Sequence, residues 1–271
     1  MTFHFEVRFA DNPQMTTRSP FLLSCAAFLA ICSVAAAESI TAAQVVDRIK
    51  AHVNCEWSDP TVDTFKAGDP NTPVTGIATT FMATQAVLEK AVAAGCNFII
   101  SHEPTFYSHY DDMEGIKDDA VLSAKRAFIE KHKLVVWRFH DHAHMNKPDL
   151  LNEGMIDALG LRKNLTSNSP ALFVVPEITV GKMAKRLKKQ LGGKVMVIVG
   201  DPELKVTKIA FSAGAPPALS QMQLLQRADV ELLLAGETRQ WETVPYVQDA
   251  AAQGKAKAMI LLGHATARKP E

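Results

Sequence analysis

From residue 41 onward, apolar positions recur along this chain in two alternating rhythms. Val45, Val46, Ile49 and Val53 share one face of a 3.6-residue repeat, which predicts a helix over 41–53. A strand over 74–80 follows, and Thr84 can cap a helix running through Val87, Leu88 and Val92 to a stop at Gly95. Phe98, Ile99 and Ile100 make a short unbroken apolar strand of the buried parallel kind. A helix over 117–132 and a strand over 134–137 come next, and Pro148 opens a helix that ends near Gly160. The second half repeats the rhythm: helix 178–191, strands 195–199 and 208–211, helix 218–228, strand 230–234, helix 241–253 and strand 258–262. Strands alternating with helices predict an α/β chain with mostly parallel strands. The polar run 164–170 is the expected join between two lobes, placed at 38–165 and 166–271.

The first 37 residues do not share this rhythm. Arg18 follows Met15 closely, Phe21 to Val34 is almost wholly apolar, and Ala35-Ala36-Ala37 supplies an A-x-A cleavage site before Glu38. That is the pattern of a secretory signal peptide, with an apolar run short for a membrane span. Glu6, Arg8 and Asp11 suit no signal start, so Met15 is the expected first residue and the mature chain begins near Glu38. The expected location is outside the cytosol, periplasmic or secreted. Leu22-Leu23-Ser24-Cys25 also fits a lipid-attachment box, although with a very short apolar stretch before it. Cleavage would leave Cys55 and Cys96, which export would permit to pair. The position of Cys96 after Ala94-Gly95, between helix and strand, is that of a small buried thiol.

Composition narrows the partners. Lys plus Arg and Asp plus Glu each number 29, so charge offers no reason to expect nucleic acid or an anionic membrane. A hydrophobic content of 47% is enough for a real core.

The chemistry lies in the histidines. His102, His140 and His264 each stand at or just past the end of an apolar strand, where open α/β sheets place their ligands. One such histidine would ordinarily be read as a strand cap. Three at equivalent places point to a metal, and Glu103 beside His102 adds a carboxylate ligand. His140, His142 and His144 fall within five residues; in an extended segment they would share a face, with Asp141 turned elsewhere. One of them is then free to orient a ligand instead of binding. Gly263 before His264 permits close backbone approach. Glu237, after Gly236, reads as a ligand, a general base or a helix-start acid, the last being preferred. Nucleophile-elbow, P-loop, dinucleotide and paired C-x-x-C motifs are absent, and His102-Glu103-Pro104 lacks the second histidine of H-E-x-x-H.

Taken in order, Thr75-Gly-Ile-Ala-Thr-Thr80, Phe98-Ile-Ile-Ser-His-Glu-Pro104, Val135-Val-Trp-Arg-Phe-His140, Leu234-Ala-Gly-Glu237 and Leu262-Gly-His264 resemble the NIF3-like (DUF34) dinuclear metal-centre family over roughly 41–271. The resemblance implies two α/β lobes with a two-metal site in the cleft between them, and a homohexamer. By position, His102 matches the family's first ligand, Glu103 replaces its second histidine, His140 is the leading histidine of the next motif, and His144 falls where an aspartate is expected. His264 matches the C-terminal histidine, whereas Arg268 stands where the family has its last glutamate; Glu271 would replace it only after a local shift. The expected metal set is therefore His102, Glu103, His140, His144 and His264. It would hold one or two divalent ions per chain (zinc, manganese or iron) and support a metal-dependent hydrolase with an unknown small-molecule substrate. The other reading is a non-catalytic metal-binding or scaffold protein.

Overall fold

The structure, a computed structural model, describes residues 39–264 and 266. The signal-peptide pattern, Met15, Cys25, Arg268 and Glu271 lie outside the described residues. The first half contains α1 (Ala42–Lys50), β1 (Phe65–Ala67), β2 (Ile77–Thr80), α2 (Gln85–Ala93), β3 (Phe98–Ser101), α3 (Ala120–Lys131), β4 (Val135–Arg138), α4 (Asp141–Met145) and α5 (Leu150–Ala158). The second contains β5 (Leu165–Asn168), β6 (Ala171–Thr179), α6 (Val180–Leu191), β7 (Val197–Val199), β8 (Lys205–Ser212), α7 (Ala218–Leu225), β9 (Leu232–Ala235), α8 (Thr243–Ala252) and β10 (Ala258–Leu261).

Local chemistry explains where these elements begin and end. Thr41 and Gln44 form a reciprocal capping box on α1, and Thr84 accepts the Val87 amide at the start of α2. Asp119 caps α3, which therefore starts three residues later than its apolar spacing predicts. Thr179 caps α6, so Ile178 belongs to the strand before it.

Two sheets result, ordered β1-β4-β3-β2 and β5-β6-β8-β9-β10-β7. The helix-connected neighbours β2–β3, β3–β4, β8–β9 and β9–β10 pair in parallel. Antiparallel strands extend both sheets: β1 on β4, β6 on β8 with β5 beyond it, and β7 on β10. The polar run expected to be a bare join is thus in part β5. The sequence pattern does not predict β6, because Pro176 and Glu177 interrupt its alternation; they sit where the β6–β8 register shifts.

Both faces of each sheet are covered, which accounts for the unbroken apolar strands. Phe98, Val135 and Trp137 pack on the α1 side, while Ile99 and Val136 meet Leu88, Leu122 and Ile129. In the second sheet Ile209, Leu232 and Ile260 face Met155, Met183 and Leu187, and Ala210, Leu233 and Met259 face Leu225 and Val247. Cys55 and Cys96 are separate free thiols, and burial pushes the Cys96 thiol upward. Among the described residues no helix is long and apolar enough to cross a membrane.

Candidate metal centre

Parallel register sets the first half of the centre. Ser101 pairs with Arg138, so the residues just beyond β3 and β4 emerge side by side. His102 follows β3 directly, and its ring lies 4.5 Å from that of His140 and 5.2 Å from that of His144, centroid to centroid. The His140 and His144 rings are 5.0 Å apart. One ligand atom from each of the three lies within 4.8 Å of the others, a separation that a single ion can span.

The outer nitrogens are committed to oxygen partners. His102 Nδ1–H donates to Phe139 O at 3.1 Å, His140 Nδ1–H to Asp141 Oδ1 at 2.9 Å, and His144 Nδ1–H to Asp149 Oδ2 at 3.1 Å. Each bond fixes a tautomer in which Nε2 carries the free lone pair, the form a metal would require. Burial pushes the His140 imidazole down, against the opposing pull of Asp141.

The segment carrying His140 and His144 is a helix, correcting the extended reading. His140 is the N-cap residue of α4 and His144 lies in the helix four residues on, on the same side, while His142 points the opposite way. His142 is fully buried, stacks on Trp57 with centroids 3.6 Å apart, and donates from Nδ1 to Asp63 Oδ2 at 2.7 Å. Strand spacing fails here because Asp63 accepts the backbone N–H groups of His140 (2.6 Å), Asp141 (2.9 Å) and His142 (2.9 Å), which starts a helical turn at once.

The second half of the centre comes from the other sheet. His264, just past β10, places Nε2 3.1 Å from Glu103 Oε1, and Nδ1 3.5 Å from Glu237 Oε1. Glu103 is buried behind His102, with Oε1 3.8 Å from His102 Nε2. Burial raises its carboxyl, but the adjacent His264 and the positive field of His102 and His140 outweigh that and take it down to about 2. Glu103 Oε1 and His264 Nε2 are both buried without a well-formed hydrogen bond. Two such atoms aimed at one small space beside three imidazoles fit a cation bound among them.

Glu237 is half-exposed and lies six residues before α8, so it is not a helix-start acid; its carboxylate faces His264 instead. Phe81, beyond β2, sets its ring 6.2 Å from His102 and 5.3 Å from His264, filling the space between the two halves. Arg138 is fully buried beneath the centre, donating to His102 O at 3.0 Å and to His109 O, with Nη2 3.5 Å from Glu103 Oε2. The sequence reading missed Asp63, Phe81, Asp149 and Arg138. Only Asp149 leaves a local trace, five residues after His144.

All five expected ligands thus meet at the facing carboxyl edges of the two sheets. The family model described as Duf34/NIF3 (NGG1p interacting factor 3) matches residues 38–268. A Clostridium acetobutylicum protein named GTP cyclohydrolase 1 type 2 homolog is 22% identical over 182 residues, covering 63% of this chain and 66% of that protein, just short of two thirds of its length. Among solved structures, a Bacillus cereus protein related to NIF3 superposes with a TM-score of 0.66 at 13% identity, covering 84% of this chain and 89% of that one. A hypothetical protein of Staphylococcus aureus gives 0.63 at 17%, covering 84% and 87%. Reduced HcgD from Methanocaldococcus jannaschii gives 0.62 at 15%, covering 85% and 90%. At such identities the structures show a shared fold, and the match of the family model over most of the chain shows more: the chain belongs to the Duf34/NIF3 family.

Proposed function

We propose that this protein is a metal-dependent hydrolase built on a divalent-metal centre held by His102, His140 and His144, with Glu103 and His264 beside it for a second ion or for the substrate. The observation that carries the reading is the imidazole triangle, with ring centroids 4.5–5.2 Å apart and every Nδ1 bonded to an oxygen. A three-histidine set leaves positions for water and substrate, as in catalytic sites; a divalent ion there would acidify a bound water and polarise a phosphoryl or acyl oxygen. The donor set suits zinc, manganese or iron.

The chain's own groups supply the rest. Glu103, its carboxyl held down at about 2 and one oxygen 3.5 Å from Arg138 Nη2, can ligate or accept a hydrogen bond from a bound water. Glu237, half-exposed and facing His264, is placed to take a proton at the mouth. The proposal includes a homohexamer in solution and export after cleavage near Ala37; the family match beginning at residue 38, directly after that site, supports the latter.

Zinc- or manganese-loaded protein should be screened against phosphoesters and nucleotides, the latter because of the name of the Clostridium relative. Hydrolysis that Glu237→Ala lowers by about 10²-fold or more, with metal content unchanged, is the expected result. Retained metal with no turnover of any ester would leave the metal-binding or scaffold role in place of the enzyme.

A further inference from the structure

We propose that Asp63 is the positioning residue of the three-histidine site, presetting His140 and His144 for a divalent metal by capping α4 from outside the helix. The inference rests on the reading of these histidines as ligands and concerns what puts them in place.

α4 has five residues, far fewer than a helix that stands by itself in water. Its own N-cap residue, His140, makes no side-chain capping bond. The orphan amides of its first turn are satisfied instead by one carboxylate that arrives 77 residues earlier in the chain. Asp63 Oδ1 accepts from the backbone of His140 and Asp141, and Oδ2 accepts from the backbone and ring of His142. Asp63 is only 2% exposed, so all four bonds form away from water, where a lost acceptor leaves several donors stranded together.

The rest of the same segment reinforces the cap. The Ser58 amide donates to His142 Nε2 at 2.9 Å, which leaves the ring proton on Nδ1, facing Asp63. Trp57 lies flat on the His142 ring. Thr61 Oγ1 and the Val62 amide donate to Asp141 Oδ2 at 2.8 and 3.0 Å, while Asp141 Oδ1 holds the His140 ring. One segment therefore fixes both the helix that spaces His140 and His144 and the rotation of the His140 imidazole. Each contact joins groups of this chain alone, so on this proposal the half-site forms without the ion.

The test compares full-length wild type with Asp63→Asn, Asp63→Ala, Glu56→Gln and Val46→Ala. Asp63→Asn retains one acceptor oxygen but turns an amide N–H toward the two His142 donors. Val46→Ala is a core truncation on α1, outside the segment that carries Asp63, included to match the loss of stability. Zinc affinity is read by chelator competition, and cobalt at saturation reports the coordination geometry in its visible bands. Both Asp63 variants should bind zinc about 10–100-fold more weakly with an altered cobalt spectrum, while Glu56→Gln and Val46→Ala keep the wild-type values. In metal-free wild type, the His142 Nδ1–H proton should give a slowly exchanging resonance. Zinc affinity of Asp63→Asn within about two-fold of wild type would overturn the proposal, as would an equal loss in Val46→Ala or a His142 resonance that appears only with zinc. Wild type that takes up no zinc would instead remove the metal reading itself, and the proposal with it.

Discussion

Individual residues in this protein are read most safely by what their second polar atom touches. His140, His142 and His144 look equivalent along the chain, yet two have Nδ1 bonded to a carboxylate and rings 4.5 and 5.2 Å from that of His102, and the third has both nitrogens consumed by Asp63 and Ser58. Lys125 shows the same logic away from the centre. Its ammonium is buried, donates to Thr105 O and lies over the rings of Phe106 and Tyr107, holding down the loop that follows His102. Burial pushes it down to about 8. The folded chain therefore loses this proton before the unfolded chain does, whose lysine titrates near ~10.4. Between those values the unfolded state holds more protons, so this group makes stability rise with pH. Chemical denaturation at pH 7.5 and 10 should show wild type gaining up to roughly 3 kcal/mol relative to Lys125→Met. Parallel pH dependences in the two proteins would refute the assignment.

At the scale of elements, legibility in the sequence tracked burial on two faces. β3, β4, β9 and β10 are covered on both sides, so their apolar runs are continuous and their ends, with His102, His140 and His264, can be placed directly from the sequence. β1, β5 and β6 leave weaker traces, because they are short, sit toward sheet edges or are interrupted by Pro176. α4 could not be read as a helix from local spacing, since the group that starts it, Asp63, is far off in sequence. β1 matters more than its length suggests, for it follows the segment that carries Asp63. Its exit turn depends on Gly68, at φ +80°, where a Cβ would stand 2.3 Å from Leu134 O. Gly68→Ala should destabilise the protein by about 2–4 kcal/mol in urea unfolding, through both the left-handed conformation and the clash. A loss under about 0.5 kcal/mol would mean that the turn yields more easily than its packing indicates.

For the whole molecule, the consequence of the fold is that two sheets present their carboxyl edges to one another, and Glu103 and His264 meet across the gap at 3.1 Å. The α/β class, the two-lobe plan and the strand-end positions of His102, Glu103, His140 and His264 could be read from strand-end residues and the ordered motifs. The division of labour among them could not, because it depends on distances: three imidazoles form one tight cluster, while Glu103 and His264 form a pair beside it. That division makes a three-histidine metal centre the central claim. Elemental analysis of purified wild type and His102→Ala, after incubation with zinc and removal of unbound ion, tests it most directly. The account predicts close to one or two zinc ions per wild-type chain and a loss of at least one in His102→Ala; fewer than about 0.2 per chain in wild type, unchanged by the substitution, would contradict it.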